Sequence, residues 1–419
     1  TPQHIKFSHK KKYCGIKVLY NFAIIPFPRQ VRSGIILSLI LILISFRKGI
    51  TRKIPLFLGR PFLCYSILFL ISIAFYLYNS LEDITVPVMY VCNILMFIGA
   101  YFICRYFYKD ESPHTFLEDV LKIIFIQSII ILVMFFIPTI GEWIRYLIRN
   151  DELFELYAKG DIEKGFRGNG ISGSLVWDFG VQQSLGLVVA AYLMRTSLMH
   201  NALYYVVAYL FIFASVLMTG RSGLIGVGIS CIVFMWRINI FVERIRKYVA
   251  YKFFIVVIMF SSIVSVYIAN SEYEYIFRYG LEFFYNLEEK GEFSSESTNS
   301  LFENHLRIDP DYNIITGSGK YMNDDGSYYG DTDCGYIRHA YYYGILSFIL
   351  YGLIFYLFYR MIRNIPSQYS LMKLMYISIF VFYMVLHVKG DFLLASYQNL
   401  NYLFLSYFFF EQHRRTYNI

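Results

Sequence analysis

Charge is the scarcest commodity in this chain. Only 16% of its 419 residues are Asp, Glu, Lys or Arg, where a soluble domain carries about 25%. A soluble chain of this length would form about two or three domains, each needing a polar surface that this composition cannot supply. A soluble enzyme is thereby excluded. Cysteine is sparse and scattered: Cys14, Cys64, Cys92, Cys104, Cys231 and Cys334 lie mostly within apolar runs, and no pair has metal-ligand spacing. Neither a disulfide framework nor a zinc site is indicated, and no metal or cofactor is expected. There is no Walker A loop, HExxH, GxSxG or dinucleotide fingerprint, and Gly317-Ser318-Gly319-Lys320 lacks the spacing of a phosphate loop. ATP-driven chemistry is therefore not encoded in the chain alone. Internal repeats, heptads and an inverted hydropathy duplication are also missing, which counts against a transporter or flippase.

What the chain has instead is hydrophobicity, at 57% of residues, with 40 Tyr and 40 Phe. A bilayer core of about 30 Å needs about 20 predominantly apolar residues as helix. Such runs predict helices near 33–46, 62–78, 86–108, 120–140, 179–194, 202–219, 222–236, 253–269, 340–359, 374–388 and 392–410. A further segment, 16–28, carries Pro26 and Pro28 and reads either as a short crossing or as an interfacial stretch. The expectation is a single all-α, polytopic integral membrane domain over 1–419 with 11 or 12 spans.

The net charge of +8 reads as topology, because Lys and Arg accumulate in cytoplasmic loops; nucleic acid is not an expected partner. Arg47, Lys48, Arg52, Lys53 and Arg60 mark one inner loop, and Arg237, Arg244, Arg246, Lys247 and Lys252 a second. Arg360, Arg363 and Lys373 mark a third, and Arg414 and Arg415 place the C-terminus inside. Keeping Lys10–Lys12 inside as well favours twelve spans. Two long loops, 141–178 and 270–339, then face outward. The second holds 14 acidic residues against 5 Lys or Arg. The stretch Glu142 to Lys159 predicts an amphipathic helix on the membrane surface.

Four constellations carry candidate chemistry. Gly165-Phe166-Arg167-Gly168-Asn169-Gly170, followed by Trp177-Asp178-Phe179-Gly180, reads as an anion cradle or as a flexible link into the next helix. Thr219-Gly220-Arg221-Ser222-Gly223 puts an Arg at a helix start, which is either an anion site or a snorkelling Arg on a tight turn. Thr316-Gly317-Ser318-Gly319-Lys320-Tyr321 and Asp331-Thr332-Asp333-Cys334-Gly335-Tyr336-Ile337-Arg338-His339 gather acids, an Arg and a His beside a membrane helix. That mixture suits proton abstraction next to an anion clamp, although Asp331 or Asp333 could simply cap the helix. The weakest is His387, Lys389 and Asp391: a packed histidine and a polar turn.

The layout, with Arg167-Gly168…Phe179-Gly180, Thr219-Gly220-Arg221-Ser222-Gly223 and Asp333-Cys334-Gly335-Tyr336…Tyr343-Gly344-Ile345, resembles the O-antigen polymerase and O-antigen ligase superfamily. The resemblance implies a GT-C-like, metal-independent glycosyltransferase in the bacterial inner membrane with a periplasmic active site. Undecaprenyl-diphosphate-linked oligosaccharide would be donor and acceptor, and a chain-length regulator a partner beside the membrane lipids. Ligases show His-Asn where this chain has Asp333-Cys334, so the polymerase branch is expected and the ligase is the alternative. On that implication Asp333 and His339 are the candidate bases. Arg167, Arg221, Arg307, Arg338, Lys320 and Tyr336 are the candidate ligands of diphosphate and glycan.

Overall fold

The computed structural model describes residues 33–47, 55–79, 82–148, 170–171, 176–196, 202–219, 221–236, 258, 282–292, 294–308, 314–323 and 326–417. Among these the secondary structure is helical, with one isolated bridge between Met322 and Tyr328. The main helices are α1 (Ser33–Arg47), α2 (Pro55–Tyr78), α3 (Thr85–Phe107), α4 (Pro113–Phe136), α5 (Pro138–Ile148), α6 (Val176–Thr196), α7 (Ala202–Thr219), α8 (Ile225–Met235), α9 (Glu282–Lys290), α10 (Gly335–Tyr343), α11 (Ser347–Asn364), α12 (Ser370–Leu386) and α13 (Tyr397–Tyr417). Among the described residues five stretches are long and apolar enough to cross a membrane: Gly59–Tyr78, Thr85–Phe107, Pro113–Phe136, Gly335–Asn364 and Ser367–Leu386. Three shorter apolar helices accompany them, Ser33–Arg47, Leu203–Thr219 and Ser222–Met235. The expected segments 16–28 and 253–269 lie outside the described residues, apart from Ile258.

Local chemistry sets the boundaries. Ser112 caps α4 by accepting the Thr115 N–H at 3.1 Å, with Pro113 in the first turn. Pro138 ends α4 early, at Phe136 rather than near 140, because the residue before a proline is pushed out of helical geometry. The stretch expected at 340–359 begins earlier, at Gly335, and breaks at Gly344, whose φ of 57° is left-handed. The last helix starts at Tyr397 rather than 392, because 387–396 forms a buried turn. Of the helix expected over Glu142 to Lys159, residues 142–148 belong to α5, with Trp143 and Tyr146 exposed, and 149–159 lie outside the described residues.

Helix α6 is central: it packs against α4, α7, α8, α12 and α13. Around α3 a second group forms from α1, α2 and α13, with α11 against α2 and α13. Small residues permit the closest approach. A Cβ on Gly226 would lie 2.5 Å from the Ser184 Cβ, and one on Gly223 would lie 2.7 Å from Val216. Close backbone packing of this kind drives helix association where lipid removes the hydrophobic force. The Thr219–Gly223 motif thus has a packing role, reinforced by Ser184 Oγ donating to the Gly223 carbonyl at 2.8 Å.

Candidate functional site

The 387–396 turn carries the site, and its position is fixed from both sides. Asp178 of α6 accepts from the Ser396 hydroxyl and, at 2.7 Å, from Asn399 Nδ2. On the other side Gly335, the first residue of α10, donates its N–H to the His387 carbonyl at 2.9 Å. A Cβ at Gly335 would meet His387 Cε1 at 2.3 Å, so only glycine lets α10 approach this closely. Asp391 Oδ1 accepts the backbone N–H of Leu393 at 3.2 Å and Leu394 at 2.9 Å. Those bonds orient its second oxygen into the bundle.

Two side chains converge on Asp391. Its Oδ2 lies 2.9 Å from His339 Nε2 and accepts the Tyr321 hydroxyl at 2.5 Å. His387 stacks obliquely on His339, ring centroids 5.0 Å apart, and edge-on to Tyr336 at 4.5 Å. His339, His387 and Asp391 are fully buried. The second nitrogen of His339 lies 3.2 Å from the Tyr351 hydroxyl. Arg338 lies over the rings of Tyr321 and Tyr328, its guanidinium carbon 4.0 and 3.5 Å from the two centroids. Such cation–π contacts stabilise a desolvated guanidinium by about 2 kcal/mol.

Tyr321 reaches the site because its own strand of chain is clamped. Asp83 Oδ2 accepts the N–H groups of Tyr321 at 2.6 Å and Met322 at 3.0 Å, and Asn79 Nδ2 donates to the Ser318 carbonyl at 2.8 Å. Ser318 and Gly319 donate their N–H groups to the carbonyls of Tyr341 and Tyr342. Gly317 (φ 76°) and Gly344 (φ 57°) face each other there, with no space for a Cβ on either. The glycine motif around 317–319 is therefore a docking joint for the α10–α11 break.

Two donors in this cluster are unspent. The buried Arg338 Nε and His387 Nε2 have no hydrogen-bond partner among the described residues. His387 Nδ1 accepts the Phe392 N–H at 3.1 Å, which leaves its proton on Nε2. Burial, and after it the neighbouring His339 imidazole, lowers the His387 pKa from 6.5 to about 3, so this ring is neutral at pH 7. Burial alone would raise Asp391; the His339 imidazole outweighs it and holds the carboxyl below its usual range. Burial raises the Tyr321 phenol well above 10, so it stays protonated and donates.

The candidates from sequence thus divide. Arg338, His339 and Tyr336 come together, Tyr336 also donating to the Met384 carbonyl at 2.8 Å. Lys320 turns away and pairs with Glu82 at 2.6 Å. Asp333 is outside the cluster, its side chain 53% exposed and 3.9 Å from His305 Nε2. Arg307 is exposed. Arg221 begins the short turn Arg221–Leu224 between α7 and α8, and Arg167 lies outside the described residues. Neither Asp331 nor Asp333 caps α10, whose N-cap residue is Cys334 and which has no side-chain cap bond; in the turn before it Thr332 Oγ1 accepts the Cys334 N–H at 3.1 Å. The expected packed His387 ring and polar turn are both there, but the turn is buried and Asp391 within it is the hub of the cluster. The signal was a His and an Asp four residues apart at the end of an apolar helix, too common to stand out.

Fold and site together define the class: an all-α membrane protein with a buried acid–imidazole–phenol cluster at one end of its helices. No protein-family model, curated protein or solved structure matches the chain.

Proposed function

We propose that this protein is a glycosyltransferase that polymerises lipid-linked oligosaccharide repeat units. The growing glycan passes from undecaprenyl diphosphate to the non-reducing end of a fresh lipid-linked unit, in O-antigen or other surface polysaccharide synthesis. The observation that carries this reading is Arg338, a buried guanidinium held over two tyrosine rings with its Nε unpartnered among the described residues, beside a helix start that bears an exposed carboxylate, Asp333. A lipid-diphosphate leaving group develops negative charge as it departs, and a fixed guanidinium offsets that charge with little reorganisation. The bond from the sugar anomeric carbon to phosphate breaks and its electron pair leaves with the diphosphate. The acceptor hydroxyl oxygen bonds to the anomeric carbon and its proton passes to a base. Asp333 is reachable by an incoming hydroxyl, whereas His339 is sealed, so Asp333 takes that role.

Sidedness supports the reading. Helix α12 is 17 residues, about 25 Å long at about 1.5 Å per residue. Arg360, Arg363 and Lys373 flank the connection at its start, and the site lies at its other end. By the charge rule that other end is external, which on the polymerase reading is the periplasmic face of a bacterial inner membrane.

Deletion of the gene, followed by gel analysis of surface polysaccharide, tests the reaction. The long-chain ladder is expected to collapse to core plus one repeat unit. Complete loss of attached glycan with accumulation of lipid-linked polymer would assign the ligase instead, and an unchanged ladder overturns both. Arg338→Ala and Asp333→Ala are each expected to abolish polymer while the protein remains in the membrane; full activity in both removes this site.

A further inference from the structure

We propose that His339, His387 and Asp391 form a binding site for one divalent transition metal ion of the zinc class. The inference goes beyond the polymerase reading and does not depend on it. Each residue offers one ligand atom, and the three atoms lie within 4.8 Å of one another in a fully buried position. Two imidazole nitrogens and one carboxylate oxygen suit zinc and its neighbours rather than magnesium or calcium, which prefer oxygen.

An independent observation points to a ligand: His387 Nε2 is buried with no partner among the described residues. The outer groups also fit. A metal-bound histidine usually donates its other N–H to a carbonyl, carboxylate or water, which fixes the ring. The Tyr351 hydroxyl lies 3.2 Å from His339 Nδ1, while His339 Nε2 faces Asp391. The Gly390 carbonyl is placed to accept from the ring of His387. With its proton on Nδ1 each ring can present Nε2 to an ion, His339 then facing the Tyr351 hydroxyl and His387 the Gly390 carbonyl. For His387 this gives up the bond from the Phe392 N–H, which keeps the Gly390 carbonyl as its acceptor at 3.1 Å. Bonds of about 2.0–2.2 Å in a tetrahedron put ligand atoms about 3.4 Å apart. His339 and Asp391, at 2.9 Å, must part by about 0.5 Å to reach that spacing, and the His387 ring must approach. The ligands come from α10, the end of α12 and the turn before α13, so the ion would tie three segments together. Arg338 opposes it, because a guanidinium near the site repels a second cation.

The test uses tag-free, full-length protein purified in detergent and stripped with a chelator. One zinc per chain by elemental analysis is expected, with the visible bands of tetrahedral cobalt on substitution and a higher melting temperature when zinc is restored. His387→Gln should weaken zinc binding at least tenfold, and Tyr351→Phe about tenfold through the outer contact. Arg338→Gln should tighten it. X-ray absorption of the wild-type zinc complex should show imidazole scattering, and it decides the matter even where a variant misfolds. Less than stoichiometric zinc in the wild type, or a zinc spectrum without imidazole, overturns the site. Loss of polymerase activity in a deletion strain bears on the other proposal and not on this one.

Discussion

Asp391 and Glu411 are buried acids at opposite ends of the same helices, and the bundle neutralises them differently. Glu411 of α13 accepts from Arg360 Nη2 of α11 at 3.2 and 3.1 Å and from Asn364 Nδ2 at 2.6 Å. Arg414 donates to Asn364 at 3.3 Å and extends the set. That end is a latch between two helices, built of a permanently charged donor and an amide. Asp391 instead meets an imidazole, a phenol and two backbone N–H groups, with a second imidazole and a guanidinium nearby. Latches need fixed charge; sites need groups that can gain or lose a proton. The difference separates a stabilising contact from a place where chemistry or ligand binding can occur.

The largest expected effect breaks the comparison most directly. Asp391→Ala leaves His339, the Tyr321 hydroxyl and two backbone N–H groups without their acceptor inside the protein, which should cost about 3–5 kcal/mol. Glu411→Ala should cost only about 1–2 kcal/mol, because Arg360 is 27% exposed and can turn to water. Thermal unfolding in detergent measures both, and equal losses would mean that the two acids do the same job. Next comes Gly335→Ala, which forces a methyl group against His387 and should cost about 1–3 kcal/mol. Gly352→Ala in α11, where nothing lies within 4 Å of the new Cβ, should be neutral or stabilising by about 0.5–1 kcal/mol. Destabilisation by both would show that helix α11 is crowded in a way the contacts do not reveal.

A pH scan sharpens the contrast. With His387 near 3 when folded and 6.5 when unfolded, the unfolded chain binds a proton that the folded one refuses. Stability should therefore be full above pH 6.5 and fall below it, by up to about 1.4 kcal/mol per pH unit. Asp391 is held below 3.8, so its contribution is present above that value and is lost only at lower pH. His387→Gln should flatten the slope between pH 6.5 and 4; an unchanged slope there would assign the titration to another group. The smallest effect is expected at Thr332→Ala, about 1 kcal/mol from loss of the hydroxyl's bonds to the Cys334 N–H and the His305 carbonyl, read from the same melting curves.

How much of this was legible depended on the range of the interaction. The helices at 33–47, 85–107 and 202–219 follow from apolar runs, within a residue or two. Arg338, His339 and Tyr336 stood out because they sit in one turn of chain near a membrane boundary. Asp391 and His387 did not, because their meaning lies in partners far away in sequence: Asp391 is 52 residues from His339 and 70 from Tyr321. Gly317-Ser318-Gly319 was visible as a motif but suggested ligand binding, whereas its backbone docks against the break at Gly344. Local pattern cannot tell a glycine that admits a ligand from one that admits another stretch of main chain.

By itself the sequence determined the solvent. Long apolar runs and 16% charge commit the chain to lipid-spanning helices, because each such run satisfies its own backbone hydrogen bonds and buries its side chains without help from the rest. Only the tertiary structure decided which of the few polar residues belong together. A buried carboxylate is tolerable only where donors from separate helices converge on it, and that convergence at Asp391 is set by the close approach at Gly335, the clamp at Asp83 and the anchor at Asp178.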